Sequence, residues 1–198
     1  MIETGKTYHL YNRGNNKENL FYKPENYYYF LRQFNKYLAV FIDVYAYCLL
    51  PNHFHFLIRI KEEEEMGFNS SHLASLKDLP SVISNQFRIF FMSYSKAINK
   101  QENRTGSLFQ KIFKVKEVSN DEYFSQLVFY IHANPQLHGL TNDFKKWKYS
   151  SYHPIMIDDN SILKKVEVLE WFGNIEEYKR FHKSMMDFRN VDAIVFDN

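Results

Sequence analysis

The stretch that decides the fold reads Val44-Tyr45-Ala46-Tyr47-Cys48-Leu49-Leu50-Pro51-Asn52-His53-Phe54-His55-Phe56-Leu57-Ile58-Arg59-Ile60. Two apolar runs of strand length flank Pro51-Asn52, which predicts strands over residues 41–50 and 53–60 joined by a tight turn. Side chains two positions apart leave the same face of a strand, so His53 and His55 point the same way. Two adjacent imidazoles on a sheet can form half of a metal site.

Strands and helices alternate on either side of this hairpin. Pro24 can open a helix at its first position, and the following residues carry aromatic and leucine side chains at helical spacing. The patterns predict a strand at residues 7–13, a helix at 25–40, the two strands of the hairpin, a helix at 81–99 and a strand at 108–118.

The next helix has a defined start and end. Ser119 or Asn120 can cap it, and the Ser-x-x-Glu spacing to Glu122 suits a capping box. Pro135 disfavours helical geometry at the residue before it, so the helix is expected to end at Asn134. The order of elements predicts an α+β fold, a ferredoxin-like split βαβ whose antiparallel sheet has helices on one face.

The chain changes character after Tyr152. Residues 1–152 are predicted to form one domain, and residues 153–198 a more acidic tail with a helical pattern over 166–188. With 45% hydrophobic and 24% charged residues, the composition is that of a soluble globular protein. The one cysteine, Cys48, excludes an intrachain disulfide and a cysteine zinc site. No apolar run has membrane-spanning or leader character, so we expect a cytoplasmic protein.

Positive charge is concentrated in one segment, although the formal net charge is only +2. Residues 88–118 contain seven bases and two acids, interleaved with aromatic residues, which suits a surface that binds a polyanion. The alternative is a solvated helix face beside core aromatics. The seven bases are Arg88, Lys96, Lys100, Arg104, Lys111, Lys114 and Lys116.

The pair His53 and His55 has no third histidine in its own strand. That position is Leu57, which excludes a histidine-triad nucleotide hydrolase. A zinc enzyme would need a third His, Asp or Glu ligand. His132 and His138 are candidates, but their spacing favours neither.

Asn134 is another candidate ligand. It follows Tyr130 by four residues, so the two side chains share one helix face. An amide oxygen and two imidazoles would leave positions open for phosphate oxygens on Mg²⁺ or Mn²⁺, with Tyr130 beside that phosphate. The alternatives are a packed tyrosine and a polar residue at the end of a helix.

Several motifs follow one another in a fixed order between Tyr8 and Tyr152. They are Tyr8-His9-Leu10-Tyr11-Asn12-Arg13-Gly14, Leu50-Pro51-Asn52-His53-Phe54-His55-Phe56-Leu57, Gly106-Ser107-Leu108-Phe109-Gln110, Tyr130-Ile131-His132-Ala133-Asn134-Pro135, Gly139-Leu140 and Trp147-Lys148-Tyr149-Ser150-Ser151-Tyr152. In this combination the chain resembles the single-tyrosine transposases of the HUH superfamily, specifically the REP-associated tyrosine transposases.

The resemblance implies a role for four residues. His53 and His55 would be the metal ligands, and Tyr130 would be the nucleophile. Asn134 would take the third-ligand position that some relatives fill with Gln. The implied reaction cleaves and rejoins single-stranded DNA through a 5′-phosphotyrosine, with Mg²⁺ or Mn²⁺ as the cofactor and no ATP.

The resemblance also implies the partner. It is single-stranded or hairpin DNA, held by the seven bases and by Arg13 and Gln110, in a monomer or homodimer that would be nucleoid-associated when bound. The chain departs from many relatives at Gln136-Leu137-His138, where they have Val-Arg-Ala, so a phosphate contact is either missing or moved to His138. Two alternatives stay open: a domesticated hairpin-DNA-binding protein of the same fold without productive transposition, and an unrelated metal hydrolase.

Overall fold

The computed structural model describes residues 2–67, 78–157 and 162–187. The strands in these residues are β1 (Thr7–Arg13), β2 (Ile42–Leu50), β3 (His53–Ile60) and β4 (Lys114–Glu117). They form one sheet in the order β2-β3-β1-β4, and every neighbouring pair is antiparallel. The α-helices are α1 (Pro24–Leu38), α2 (Leu79–Gln101), α3 (Asp121–Leu137), α4 (Lys165–Trp171) and α5 (Ile175–Asp187). Short 3₁₀ turns lie at Asn15–Lys17, Glu63–Met66, Phe144–Lys146 and Pro154–Met156.

This order of strands confirms the predicted α+β class with a ferredoxin-like sheet. Helices cover both faces, however, rather than the one face that was predicted. On one face Phe54 packs against Phe30 of α1 and Phe91 of α2. On the other face His55 meets Tyr130 of α3. Every residue of β2 is buried, so the sheet needs cover on both sides.

The β2–β3 hairpin matches its prediction closely. Leu50 pairs with His53 across the turn at Pro51-Asn52. The backbone N–H groups of Leu20 and Phe21 donate to the Pro51 carbonyl, which ties the segment before α1 to this turn. The first histidine of the pair therefore starts β3 at a fixed place.

The predicted strand over residues 108–118 is wrong in its first half. Only Lys114–Glu117 pairs with β1, whereas Leu108 and Phe109 turn inward and are buried. A single bridge between Phe109 and Gly14 marks this region. Burial of these two apolar side chains outweighs the continuation of the ladder.

The predicted limits of α3 also differ from the structure. Asn120 caps the helix, its side-chain oxygen accepting from the Tyr123 N–H at 2.8 Å, so the cap is Asn120 and not Ser119. The helix continues through Pro135 to Leu137. A proline removes one donor, and the His138 N–H still closes the last turn on the Asn134 carbonyl at 3.0 Å.

The predicted tail helix is divided into α4 and α5. Gly173 lies between them with φ +94°, a conformation that favours glycine and ends the first helix. Residues 158–161 and 188–198 of the predicted tail lie outside the described residues. Among the described residues, no helix has both the length and the apolar composition needed to cross a membrane.

Candidate active site

Strand β3 and helix α3 bring the four predicted site residues together within one chain. His53 Nε2 lies 3.2 Å from Asn134 Oδ1. The ring of Tyr130 stands edge-on to His55, with 5.7 Å between the ring centroids. Residues i and i+2 share a face of a strand, and residues i and i+4 share a face of a helix. The histidine pair of β3 therefore meets the Tyr130–Asn134 pair of α3.

The contacts of His53 favour the tautomer whose Nε2 carries no hydrogen. Its Nδ1 lies 2.7 Å from Asn52 Oδ1, an acceptor, so Nδ1 carries the hydrogen. In the neutral ring Nε2 is then an acceptor that faces another acceptor, Asn134 Oδ1. A cation bound by both atoms would resolve this contact. Without a cation, turning the amide would let Asn134 Nδ2 donate instead.

His55 is the second candidate ligand, and its Nε2 is buried. Its side chain is 1% exposed, and its Nε2 has no hydrogen-bond partner among the described residues. Burial holds the pKa of His55 well below its ordinary value, and the nearby rings of His9, His53 and His138 lower that pKa further. The imidazole is therefore neutral, the form that binds metals.

Asn134 completes the candidate ligand set. It is fully buried, and its Nδ2 has no hydrogen-bond partner in the described part of the chain. No group of three or more His, Cys, Asp or Glu side chains within the described ranges could hold a metal ion. A site here would consist of two imidazoles and one amide oxygen, a set that leaves positions open for phosphate oxygens on a divalent ion.

A cavity of about 390 Å³ opens beside these ligands. Tyr130 is not among the residues that line it: its side chain is 6% exposed and packs edge-on against His9 and His55. The lining residues are Tyr11, Asn12, Arg13, Asn52, His53, His55, Gln110, Lys114 and His138.

Five of the residues predicted to contact DNA line this cavity or a second cavity beside it. Arg13, Gln110 and Lys114 line the cavity itself. Arg88 and Lys111 line an adjoining cavity of about 370 Å³, and Gln110 borders both. These side chains supply cations and an amide around two cavities that share Asn12 and Gln110 in their linings, which suits a phosphodiester chain.

The other predicted contacts lie elsewhere. Lys116 pairs with His9 in the β1–β4 register, so it shares the face of the sheet that carries the site. Lys96 and Lys100 are exposed on α2 and line neither cavity. Arg104 forms an ion pair with Glu18 and lines neither cavity.

Two residues at the site had no role in the sequence-based prediction. His9 and Tyr11 lie on β1, their rings stacked with 4.6 Å between centroids, and Tyr11 pairs directly with His55. Their alternation with Arg13 indicates that they share a face of β1. The pattern gives no information about which strand lies beside them.

The two candidate third histidines have different positions. The ring of His138 lies 4.9 Å from that of His53 and lines the cavity. His132 is wrong as a candidate ligand, because its side chain leaves α3 on the other side. Its Nε2 lies 2.7 Å from Ser151 Oγ and its Nδ1 lies 2.9 Å from His182 Nε2 of α5.

Comparison with known proteins points to one group. The chain is 24% identical over 132 residues to a Haemophilus influenzae protein named "Putative REP-associated tyrosine transposase", covering 67% of this chain and 68% of that protein. It also matches a solved structure of a REP-associated tyrosine transposase bound to a REP hairpin. That match has a TM-score of 0.59 and 19% identity, covers 79% of this chain and 82% of the other, and shows a shared fold.

The resemblance to the REP-associated tyrosine transposases is confirmed. No protein-family model matches the chain. Within the described residues, four of the six motifs that carry the resemblance lie on the elements that form the candidate site: β1, the β2–β3 turn, the loop before β4 and α3.

Proposed function

We propose that this protein is a metal-dependent single-stranded DNA transposase and nuclease that cleaves and rejoins DNA through a 5′-phosphotyrosine on Tyr130. The observation that carries the proposal is the contact of the two β3 histidines with Tyr130 and Asn134 of α3. A hairpin is the proposed recognition element, because the structural neighbour is bound to a REP hairpin.

The proposed ligands of Mg²⁺ or Mn²⁺ are His53 Nε2, His55 Nε2 and Asn134 Oδ1. Their support is the buried Nε2 of His55, which has no hydrogen-bond partner among the described residues, and the 3.2 Å approach of His53 Nε2 to Asn134 Oδ1. When bound, such an ion polarises the scissile phosphate and stabilises the charge that develops on its oxygens.

The DNA backbone would lie along the two adjoining cavities. Arg13 and Lys114 offer cations at the first cavity, and Arg88 and Lys111 offer them at the second. Binding by these side chains neutralises phosphates, so affinity should fall as the salt concentration rises.

The chemical step assigned to Tyr130 is an in-line displacement at phosphorus. The phenol oxygen forms a bond to phosphorus, the bond from phosphorus to the 3′ oxygen breaks, and that oxygen leaves as a 3′-OH. An ordinary tyrosine has a pKa of about 10, so the phenol proton must pass to an acceptor. Because Tyr130 is only 6% exposed and packs edge-on against His55, we expect its ring to turn or α3 to shift before attack.

The second candidate function is a hairpin-DNA-binding protein without productive cleavage. The small exposure of Tyr130 favours this alternative, because a buried phenol does not reach a phosphate without a rearrangement. The two functions differ in whether a covalent product forms.

Replacement of His53 by alanine should separate binding from cleavage. We expect metal-dependent cleavage to fall by more than about 100-fold, the upper range for losing a group that only supports a ligand, while hairpin affinity changes little. The assay uses labelled single-stranded DNA from the flanks of the gene with Mn²⁺ or with chelator, resolved on a denaturing gel. His153→Ala, which changes an exposed histidine, is the matched control. Cleavage that is unaffected in His53→Ala would overturn the metal-site assignment.

A further inference from the structure

We propose that His9 is a positioning residue for the metal site, whose Nε2 accepts the hydrogen of His55 Nδ1 and so keeps His55 Nε2 free to bind the ion. This inference rests on the proposed function, because it concerns a ligand of the proposed metal. His9 belongs to β1, outside both elements that supply the ligands.

The starting observation is a direct contact between two buried imidazoles. His9 is fully buried, and its Nε2 lies 2.9 Å from His55 Nδ1. One hydrogen occupies this contact, and it belongs either to His55 Nδ1 or to His9 Nε2.

The two arrangements differ in what they leave at the metal site. With the hydrogen on His55 Nδ1, a neutral His55 has a lone pair on Nε2 and can bind a metal. With the hydrogen on His9 Nε2, His55 Nδ1 is the acceptor and Nε2 carries an N–H. Only the first arrangement permits coordination, and it needs an acceptor at the position of His9 Nε2.

The surroundings of His9 hold that acceptor in place. Tyr11 stacks on the His9 ring at 4.6 Å and 25°, and on the His55 ring at 5.8 Å and 22°. The β1–β3 register pairs Tyr11 with His55 and His9 with Leu57. A histidine ligand whose second nitrogen donates to a fixed acceptor is both oriented and more basic.

Two substitutions separate the acceptor from the bulk of the ring. His9→Leu fills the space without an acceptor, whereas the side-chain oxygen of His9→Gln can replace Nε2 as the acceptor. We expect Mn²⁺ to bind His9→Leu about 10- to 100-fold more weakly than wild type, and His9→Gln close to the wild-type affinity. The affinity is measured by calorimetry on the full chain without DNA, so that the readout does not depend on cleavage.

A second measurement requires neither metal nor substitution. Nitrogen-15 NMR of the metal-free wild-type protein reports which nitrogen of His55 carries hydrogen. Hydrogen on Nδ1 supports the proposal, and hydrogen on Nε2 overturns it. If His9→Leu does not fold, this measurement still tests which nitrogen of His55 carries hydrogen.

The outcomes distinguish this inference from the proposed function. Wild-type protein that binds no Mn²⁺ contradicts the metal site itself, whatever the state of His55. If wild-type protein binds Mn²⁺ and a folded His9→Leu binds it equally well, the metal site is supported and His9 has no part in it. Recovery of affinity in His9→Gln and not in His9→Leu establishes the acceptor role.

Discussion

Replacement of Tyr130 by phenylalanine is expected to abolish the covalent protein–DNA product while leaving hairpin binding nearly intact. The change removes only the phenol oxygen and keeps the ring that packs edge-on against His9 and His55. Loss of a nucleophile has cost about a millionfold in rate in a well-studied protease, so the product should fall below detection. The measurement is a denaturing gel of labelled single-stranded DNA incubated with protein and Mn²⁺.

The chain offers a matched control for this substitution. Tyr123 lies on the same helix, with its ring beside Lys116 at 5.1 Å, and is assigned no part in cleavage. Tyr123→Phe makes the same chemical change and should retain the covalent product. Product that persists in Tyr130→Phe would remove Tyr130 from the role of nucleophile.

Acidification is expected to destabilise the fold through a second pair of buried histidines. Ser151 can donate to His132 Nε2, His132 Nδ1 can donate to His182 Nε2, and His182 Nδ1 donates to the Tyr178 carbonyl at 2.8 Å. Each ring uses one nitrogen as a donor and the other as an acceptor. A proton added to either ring places a hydrogen where an acceptor is needed.

The direction of the effect follows from the pKa shifts. Burial holds the pKa of His132 well below its ordinary value and lowers that of His182 to about 4. The unfolded chain, with histidine pKa values near 6.5, therefore takes up protons first as the pH falls. Stability from the neutral pair is complete above pH ~6.5 and is lost toward pH ~4.

The effect is a substantial part of the total stability. His182, with a folded pKa of about 4, removes about 2 kcal/mol between pH ~6.5 and ~4.5, and His132 acts in the same direction. Small proteins have a free energy of unfolding of about 5–15 kcal/mol.

Urea unfolding between pH 5 and pH 8, with chelator present, measures this effect. In His182→Gln the free energy of unfolding should depend on pH less steeply than in wild type, by about 1.4 kcal/mol per pH unit, although the variant is less stable at pH 8. His153→Gln, at an exposed histidine, should keep the wild-type slope. Equal slopes in all three proteins would show that His182 does not titrate on unfolding.

Local periodicity was sufficient to predict part of the site. The spacing of His53 and His55 in a strand, and of Tyr130 and Asn134 in a helix, determines which side chains share a face. The ferredoxin-like order of strands could also be predicted, because each strand and helix has its own pattern. The contact between the two faces is present in the structure as the His53–Asn134 and His55–Tyr130 pairs.

Features that depend on distant partners could not be predicted. His9 meets His55 only because β1 lies between β3 and β4, a pairing of residues 46 positions apart. Leu108 does not continue the predicted strand because its side chain is buried in the core. The helical spacing turns His132 away from the face of Tyr130 and Asn134, but nothing near His132 indicates that its partner is His182 of α5.

The proposed function requires Tyr130 to form a covalent bond to DNA at a metal-dependent site. Mass spectrometry of the digested covalent product, formed on hairpin-containing single-stranded DNA with Mn²⁺, identifies the residue that carries the DNA. We expect a nucleotide phosphate on the peptide that contains Tyr130, and no such peptide when chelator replaces Mn²⁺. A phosphate on another residue, or cleaved DNA without attached protein, would contradict it.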